Sequence, residues 1–233
     1  MPAASAPRTA RARARAEITA EILAAGRRQL AEVGAAQLSL RAVARELGMV
    51  SSAVYRYVAS RDELLTLLIV DSYDSLGAAA EAAAEASRRR SARNRWVDVA
   101  RAVRAWALEH PHEYALLYGS PVPGYEAPQD TVLPGTRVSR LLVSVVAEAA
   151  AARPLEPTLG FDPPAATAAE LRDLAALLEV DLPAPVLGAA LVAWTQLFGL
   201  VGFEVFGQTR GLVADHEAFF VSATTAMASA IGL

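Results

Sequence analysis

Apolar residues recur every three or four positions along this 233-residue chain, and no stretch shows the strict alternation of a half-buried strand. Ile18, Ile22, Gly26 and Leu30 stand four apart and predict a first helix over residues 14–33, ended by Gly34. Leu40, Val43, Ala44 and Leu47 predict a short second helix. Gly48 follows, a residue free to take the positive φ that a tight turn between helices needs. A third short helix is expected over 53–57, with Ser51 or Ser52 accepting a hydrogen bond from a free amide of its first turn. Ser60 then caps a long fourth helix running from residue 61 into the eighties, with Leu64/Leu68 and Leu65/Ile69/Tyr73 along its inner face.

The same spacing continues. Trp96, Val99, Val103 and Trp106 predict a helix over 94–108, and Pro111 opens a short one reaching 118. Proline content makes 120–128 a loop, and four prolines make 153–164 another. Helices are expected over 131–152, 165–179, 185–206 and 215–231. The fold class is therefore all-α. Two short helices joined by a turn with Gly form a helix-turn-helix, whose second helix is built to enter a DNA major groove. The expected organisation is a basic disordered arm over 1–13, a three-helix helix-turn-helix DNA-binding domain over 14–60, and a larger helical domain over 61–233.

Charge sharpens this picture once it is divided along the chain. The net charge is −3, yet residues 1–62 hold ten Arg against five carboxylates and the remainder twelve Arg against twenty. Phosphate attraction is screened over roughly 10 Å, so the local excess decides. Arg8, Arg11, Arg13 and Arg15 form either a solvated tail or an arm that reaches the DNA backbone. The cluster from Arg88 to Arg95 reads as a solvated joint between helices rather than a second DNA site. With 54% hydrophobic and 20% charged residues the chain can bury a sizeable core. It has no cysteine, which excludes disulfides and thiolate metal sites and agrees with a reducing cytoplasm. The first residues have no apolar core of a secretory signal.

Residues 182–203 carry no charge over 22 positions, long enough to span a membrane. Their flanks, Asp181 and Glu204, are acidic, two prolines open the stretch, and Thr195 and Gln196 sit inside it. A helix buried between its own core and a second subunit is the expected reading, with no membrane partner.

The segment from residue 38 to 65, with its apolar-Ala-x-x-x-Gly core, Val54-Tyr55-Arg56-Tyr57 and Ser60-Arg61-Asp62-Glu63-Leu64, resembles the amino-terminal domain of TetR-family transcriptional regulators. In that family the last motif usually reads Lys-Asp/Glu-Glu-Leu, and Arg61 keeps the charge. The run Trp194 to Gly199 and the stretch 110–125 resemble the WHG type of TetR-family carboxy-terminal domain, with Phe198 where that pattern has His. The resemblance implies that Arg41 reaches a base edge, where a guanidinium bonds guanine in a bidentate way. It implies that Ser51, Ser52 and Ala53 open the recognition helix with small side chains, and that Tyr55 bonds a phosphate. Tyr57 supplies a second aromatic contact, and Arg56 points to phosphate or solvent. Arg61, with the free amides of its helix, is expected to hold another phosphate.

Trp106, Tyr114, Leu117, Tyr118, Trp194 and Phe198 are large side chains on helices expected to enclose an effector pocket, and Gln196 is its polar candidate. The same residues at helical spacing serve equally as plain core. There is no nucleophile elbow, glycine-rich phosphate loop or HExxH, and His110 and His112 straddle a proline, so neither an enzyme, a cofactor nor a metal site is expected. The reading is a cytoplasmic, ligand-responsive repressor that binds pseudo-palindromic double-stranded operator DNA as a homodimer and answers to a small apolar effector. Val186, Leu187, Leu191, Trp194, Phe198, Val201 and Val205 are expected at the dimer contact. The alternative is an all-α lipid-binding protein or enzyme with an incidental helical hairpin.

Overall fold

In the computed structural model, which describes residues 10–233, all regular structure is helical. The helices are α1 (Ala10–Val33), α2 (Leu40–Glu46), α3 (Ser51–Val54), α4 (Arg61–Ala86), α5 (Ala92–Glu109), α6 (Pro111–Tyr118), α7 (Val132–Gly135), α8 (Arg137–Ala152), α9 (Ala165–Leu177), α10 (Ala184–Val205) and α11 (His216–Ile231). Two compact units divide them. The first runs to Ser72 and takes in His112–Val132; the second comprises Tyr73–Pro111 and Leu133–Leu233. The division falls inside α4 rather than at its start, because Leu64, Leu65 and Leu68 belong to the core of the first unit.

That core gathers Ile22 and Ala25 of α1, Leu40, Val43 and Ala44 of α2, then Val54, Val58 and the three leucines of α4. Leu116, Val122 and Tyr125 pack at its edge. Residues 1–9 of the expected arm, Arg8 among them, lie outside the described residues. Its residues 10–13 are the first turn of α1, with Arg11 and Arg13 exposed. Alanine and arginine are both good helix formers, which is reason enough for α1 to start four residues early. Gly48 takes φ 64 at the turn after α2, as its place required. The expected serine cap does not form. Val50 stands in the cap position of α3 without a side-chain bond, and α3 ends at Val54 before a run of turns. At α4 the cap is present: the Glu63 amide donates to Ser60 Oγ at 3.0 Å, and the Glu63 carboxylate accepts the Ala59 amide at 2.5 Å.

In the second unit α5 packs against α8, α10 and α11, and α9 packs against α10. Trp96, Val103, Val145, Leu187, Leu197, Phe220 and Ile231 are fully buried there. Ionic pairs tie the helices. Arg104 of α5 meets both Glu204 oxygens at 2.7 and 2.6 Å and also pairs with Glu217 of α11, and the hydrogen bonds to Glu204 above all push its pKa up. Arg137 meets both Glu81 oxygens at 2.9 and 2.8 Å and Asp74 at 2.8 Å. Gly77 makes room for it, since a Cβ there would stand 2.6 Å from Arg137 Nε. The single helix expected over 131–152 is broken into α7 and α8. The break falls at Thr136, whose amide and hydroxyl both turn back to Leu133 O, at 3.2 and 2.9 Å, and Gly135 lies against the Tyr73 ring.

The end of α9 yields a stability prediction. Glu179 sits at φ 56, with its amide donating to Ala176 O at 3.1 Å and that of Val180 to Ala175 O at 3.0 Å. This closing motif favours glycine at the left-handed position. Glu179→Gly is expected to raise stability by about 0.5–1 kcal/mol in urea unfolding, less than the full left-handed penalty because Gly also loosens the unfolded chain. Glu179→Ala should bring no gain, and an equal gain from both would refute the backbone explanation.

Candidate nucleic-acid interface

The arginines of the first unit fall into two groups. Arg27 pairs with Asp71, Arg28 with Glu46, and Arg61 with Asp62. Arg41 and Arg45 on α2, and Arg56 just after α3, are exposed and meet no carboxylate among the described residues. Their charge faces water, where a polyanion can take it up. The carboxylate-paired cations belong to α1 and α4, whereas Arg41, Arg45 and Arg56 surround the turn between α2 and α3, and Arg11 and Arg13 stand exposed at the start of α1.

The other expected contacts are sorted by their placement. Ser52 and Tyr55 are exposed, while Ser51 and Ala53 are half-buried at the opening of α3. Tyr57 packs at the edge of the core and carries the Arg15 guanidinium 5.3 Å above its ring. Arg15 also donates to the Arg56 carbonyl at 3.2 Å, so a residue expected in a basic tail braces the end of the recognition segment. Arg61 is placed otherwise than a free phosphate contact would be. One of its nitrogens donates to the carbonyls of Ala35 and Ala36 at 3.0 and 3.1 Å, holding the turn that precedes α2. Sequence reasoning passes over Val50, which is 70% exposed directly ahead of α3. The signal is there: an aliphatic residue stands where a cap residue is normally found.

In the second unit α10 has two unlike sides. Val186, Leu187, Ala189, Ala190, Ala193, Leu197 and Val201 are buried. Val186, Leu187 and Val201, expected at a dimer contact, are therefore core of their own unit. The opposite side exposes Thr195, Gln196, Gly199, Phe203 (58%) and Phe206 (44%), with Leu191, Trp194, Phe198 and Val205 partly exposed, and α11 adds Phe219 (45%). Gln196 is thus not the buried amide expected from sequence. A helix of this length and composition passes the test for a membrane span, yet half of its most apolar stretch is buried inside the protein.

Four of the expected effector residues meet in two pairs. Trp194 and Phe198 meet edge to face at 5.8 Å, and Tyr114 and Tyr118 stand tilted at 5.0 Å. Trp106 lies 5.0 Å from the His110 ring and donates to Ser75 Oγ at 2.9 Å. Tyr114 is fully buried, and desolvation pushes its phenol pKa up. Leu117 is half-buried. Two clefts of the second unit are lined by other residues: one of about 630 Å³ beside Arg172, Asp181 and Leu182, and one of about 440 Å³ beside Arg137, Arg140 and Leu178. Among the described residues no three His, Asp or Glu side chains converge to hold a metal.

Two family models match the chain: "Bacterial regulatory proteins, tetR family" over residues 22–68, and "Tetracyclin repressor-like, C-terminal domain" over residues 96–227. HTH-type transcriptional regulators of Mycobacterium tuberculosis (strain H37Rv) and Mycobacterium bovis are each 44% identical over 200 residues, covering 84% of this chain and 83% of theirs. The crystal structure of the regulatory protein SCO4313 superposes with a TM-score of 0.75 at 35% identity, over 94% of this chain and 98% of that one. A protein of Rhodococcus sp. RHA1 does so with a TM-score of 0.69 at 26% identity, over 93% and 96%.

Proposed function

Because the chain belongs to the TetR family of bacterial transcriptional regulators, we propose that it is a ligand-responsive repressor that binds a pseudo-palindromic operator as a homodimer. The observation that carries the DNA reading is the contrast between paired and unpaired arginines. Among the described residues, Arg41, Arg45 and Arg56 present free charge around the α2–α3 turn. In this reading Arg41 contacts a base edge, and the Tyr55 hydroxyl and Arg56 take phosphates. Ser51, Ser52 and Ala53 let α3 approach the groove, and Val50 meets a thymine methyl. Tyr57, Arg15 and Arg61 hold this surface in shape. The phosphate contact expected of Arg61 is kept only as a secondary role, since two carbonyls already take up one of its nitrogens.

Binding to a panel of operator variants tests the division. Arg41→Ala is expected to flatten preference at one base position by about 1–3 kcal/mol, and Tyr55→Phe to weaken all sequences alike by about 1 kcal/mol. A uniform loss for Arg41→Ala, with the preferred base unchanged, would overturn the base-edge assignment.

The dimer reading rests on the exposed side of α10 with Phe219 of α11, an apolar surface that a monomer would leave in water. Two-fold symmetry then sets half-sites about one helical turn apart, roughly 34–36 Å. The effector is a small apolar molecule; Trp106, Trp194 and Phe198 of the second unit are candidate contacts, with Gln196 at an exposed margin, and Tyr114, Leu117 and Tyr118 are candidates within the first unit. It releases DNA only if it binds more tightly to the conformation in which the heads are misplaced, because equal affinity for both shifts nothing. The protein works in the cytoplasm without a membrane anchor or catalysis. Recovery of the full chain in the soluble fraction is the expected result, and recovery with membranes would count against it.

A further inference from the structure

The first unit contains a cleft of its own, about 440 Å³, within the range of small-molecule sites. Leu30 and Val33 at the end of α1 and Ala35 and Ala36 of the following turn form one wall. Ala115 and Leu116 of α6 and the Pro121-Val122-Pro123 segment form the other, with His112 and Ser120 as the polar side chains. No carboxylate and no guanidinium lines it among the described residues.

Both walls are fastened to one helix. Arg61, in the first turn of α4, donates to the carbonyls of Ala35 and Ala36 on the first wall. One turn later, the hydroxyls of Thr66 and Tyr125 share a hydrogen bond of 2.9 Å, which holds the loop of the second. The first wall also leads directly into α2. After Gly34 at φ 75 and the turn Ala35–Gln37, the Ser39 amide donates to the Oε1 of the buried Gln29 at 3.2 Å, and α2 begins with Leu40 and Arg41. An occupant that spreads the walls must break a bond to α4 or carry its first turns along, and it moves the start of the helix that holds Arg41.

We propose that this cleft, inside the DNA-reading unit itself, is a binding site for a small uncharged molecule, mostly apolar and with one hydrogen-bonding group, whose occupancy weakens operator binding. The site rests on the regulator reading above and adds, within the DNA-reading unit, a second place where a small molecule acts, separate from the aromatic contacts named there. The apolar walls favour an aliphatic or aromatic body, and His112 or Ser120 takes the single polar group. A charged ligand would find no partner on the walls, and leaving it unpaired is costly.

The test uses 2-naphthol and indole as probes on the full chain with ¹³C-methyl-labelled alanine. Titration should shift the Ala35, Ala36 and Ala115 methyl signals and raise the operator Kd at least tenfold. Ala115→Trp, which fills the cleft, should abolish both the shifts and the dependence of the operator Kd on the probe. Arg61→Met should keep the methyl shifts but reduce the effect on operator affinity several-fold. Unmoved methyls with both probes would overturn the site, as would release of the operator by 2-naphthol from Ala115→Trp to the same extent as from the parent chain. Failure of the probe-free protein to bind any operator is a separate reading that ends the regulator proposal, while the methyl shifts still decide whether the cleft binds.

Discussion

Phe203→Arg is expected to convert the protein to a monomer and to lower its operator affinity on the order of a hundredfold or more, because a lone head loses the gain from its tethered twin. Phe203 is 58% exposed, so the arginine can reach water in the free unit and the fold should survive. In the proposed dimer it would have to bury an unpaired guanidinium against a second copy, which costs several kcal/mol or prevents contact altogether. Gly199 on the same stripe supports the contact. A Cβ there would meet no atom within 4 Å, and a mid-helix glycine costs about 1 kcal/mol relative to alanine. That cost is understandable where another backbone must come close. Gly199→Trp places a large ring on this open stripe and is for the same reason a second test of the dimer. Sedimentation and operator titration of both variants check the point. A parent chain that is monomeric at micromolar concentration, or a Phe203→Arg variant that remains a dimer, would refute the proposed interface.

Arg104→Ala should cost about 3 kcal/mol of stability while leaving the operator preference unchanged. The Arg104 and Glu204 side chains are only 12% and 14% exposed, so removing the guanidinium strands a carboxylate in a poorly hydrated place. Glu217, at 45% exposure, can turn to water and adds little to the loss. Arg104→Lys should fall between, since an ammonium cannot reproduce the two-pronged contact with Glu204. The combined Arg104→Met and Glu204→Leu change should recover most of the loss, because an apolar pair needs no desolvated partner. Urea midpoints decide it. A loss under about 0.5 kcal/mol for Arg104→Ala would show that water screens the pair as it does surface pairs.

Three local rules can be read directly from residue order. Gly48 turns the chain at φ 64, Ser60 accepts the Glu63 amide while the Glu63 carboxylate accepts the Ala59 amide at the start of α4, and Pro111 opens α6. Each depends on neighbours within a few positions, and that is the information a linear chain carries. The same holds for helical periodicity, which places α1, α5, α10 and α11 to within a few residues.

The periodicity of α10 cannot say which of its two apolar sides is turned inward. Leu187 and Phe203 are both large and apolar, and only the packing of α5, α8, α9 and α11 on one side buries the first and leaves the second in water. Gln196 follows the same logic: apolar neighbours in the chain suggest an interior place, yet its side of the helix is the exposed one. Arg61 shows the limit in charge. Sequence supplies the cation and its place at a helix start, while its partners, the carbonyls of Ala35 and Ala36, lie 26 and 25 residues away. Local order therefore determined the all-α class, the helix-turn-helix and its basic character through backbone geometry and near-neighbour chemistry. Tertiary structure alone decided which arginines stay free, which side of α10 faces water and where a cleft opens, because each of these depends on contacts between residues far apart in the chain.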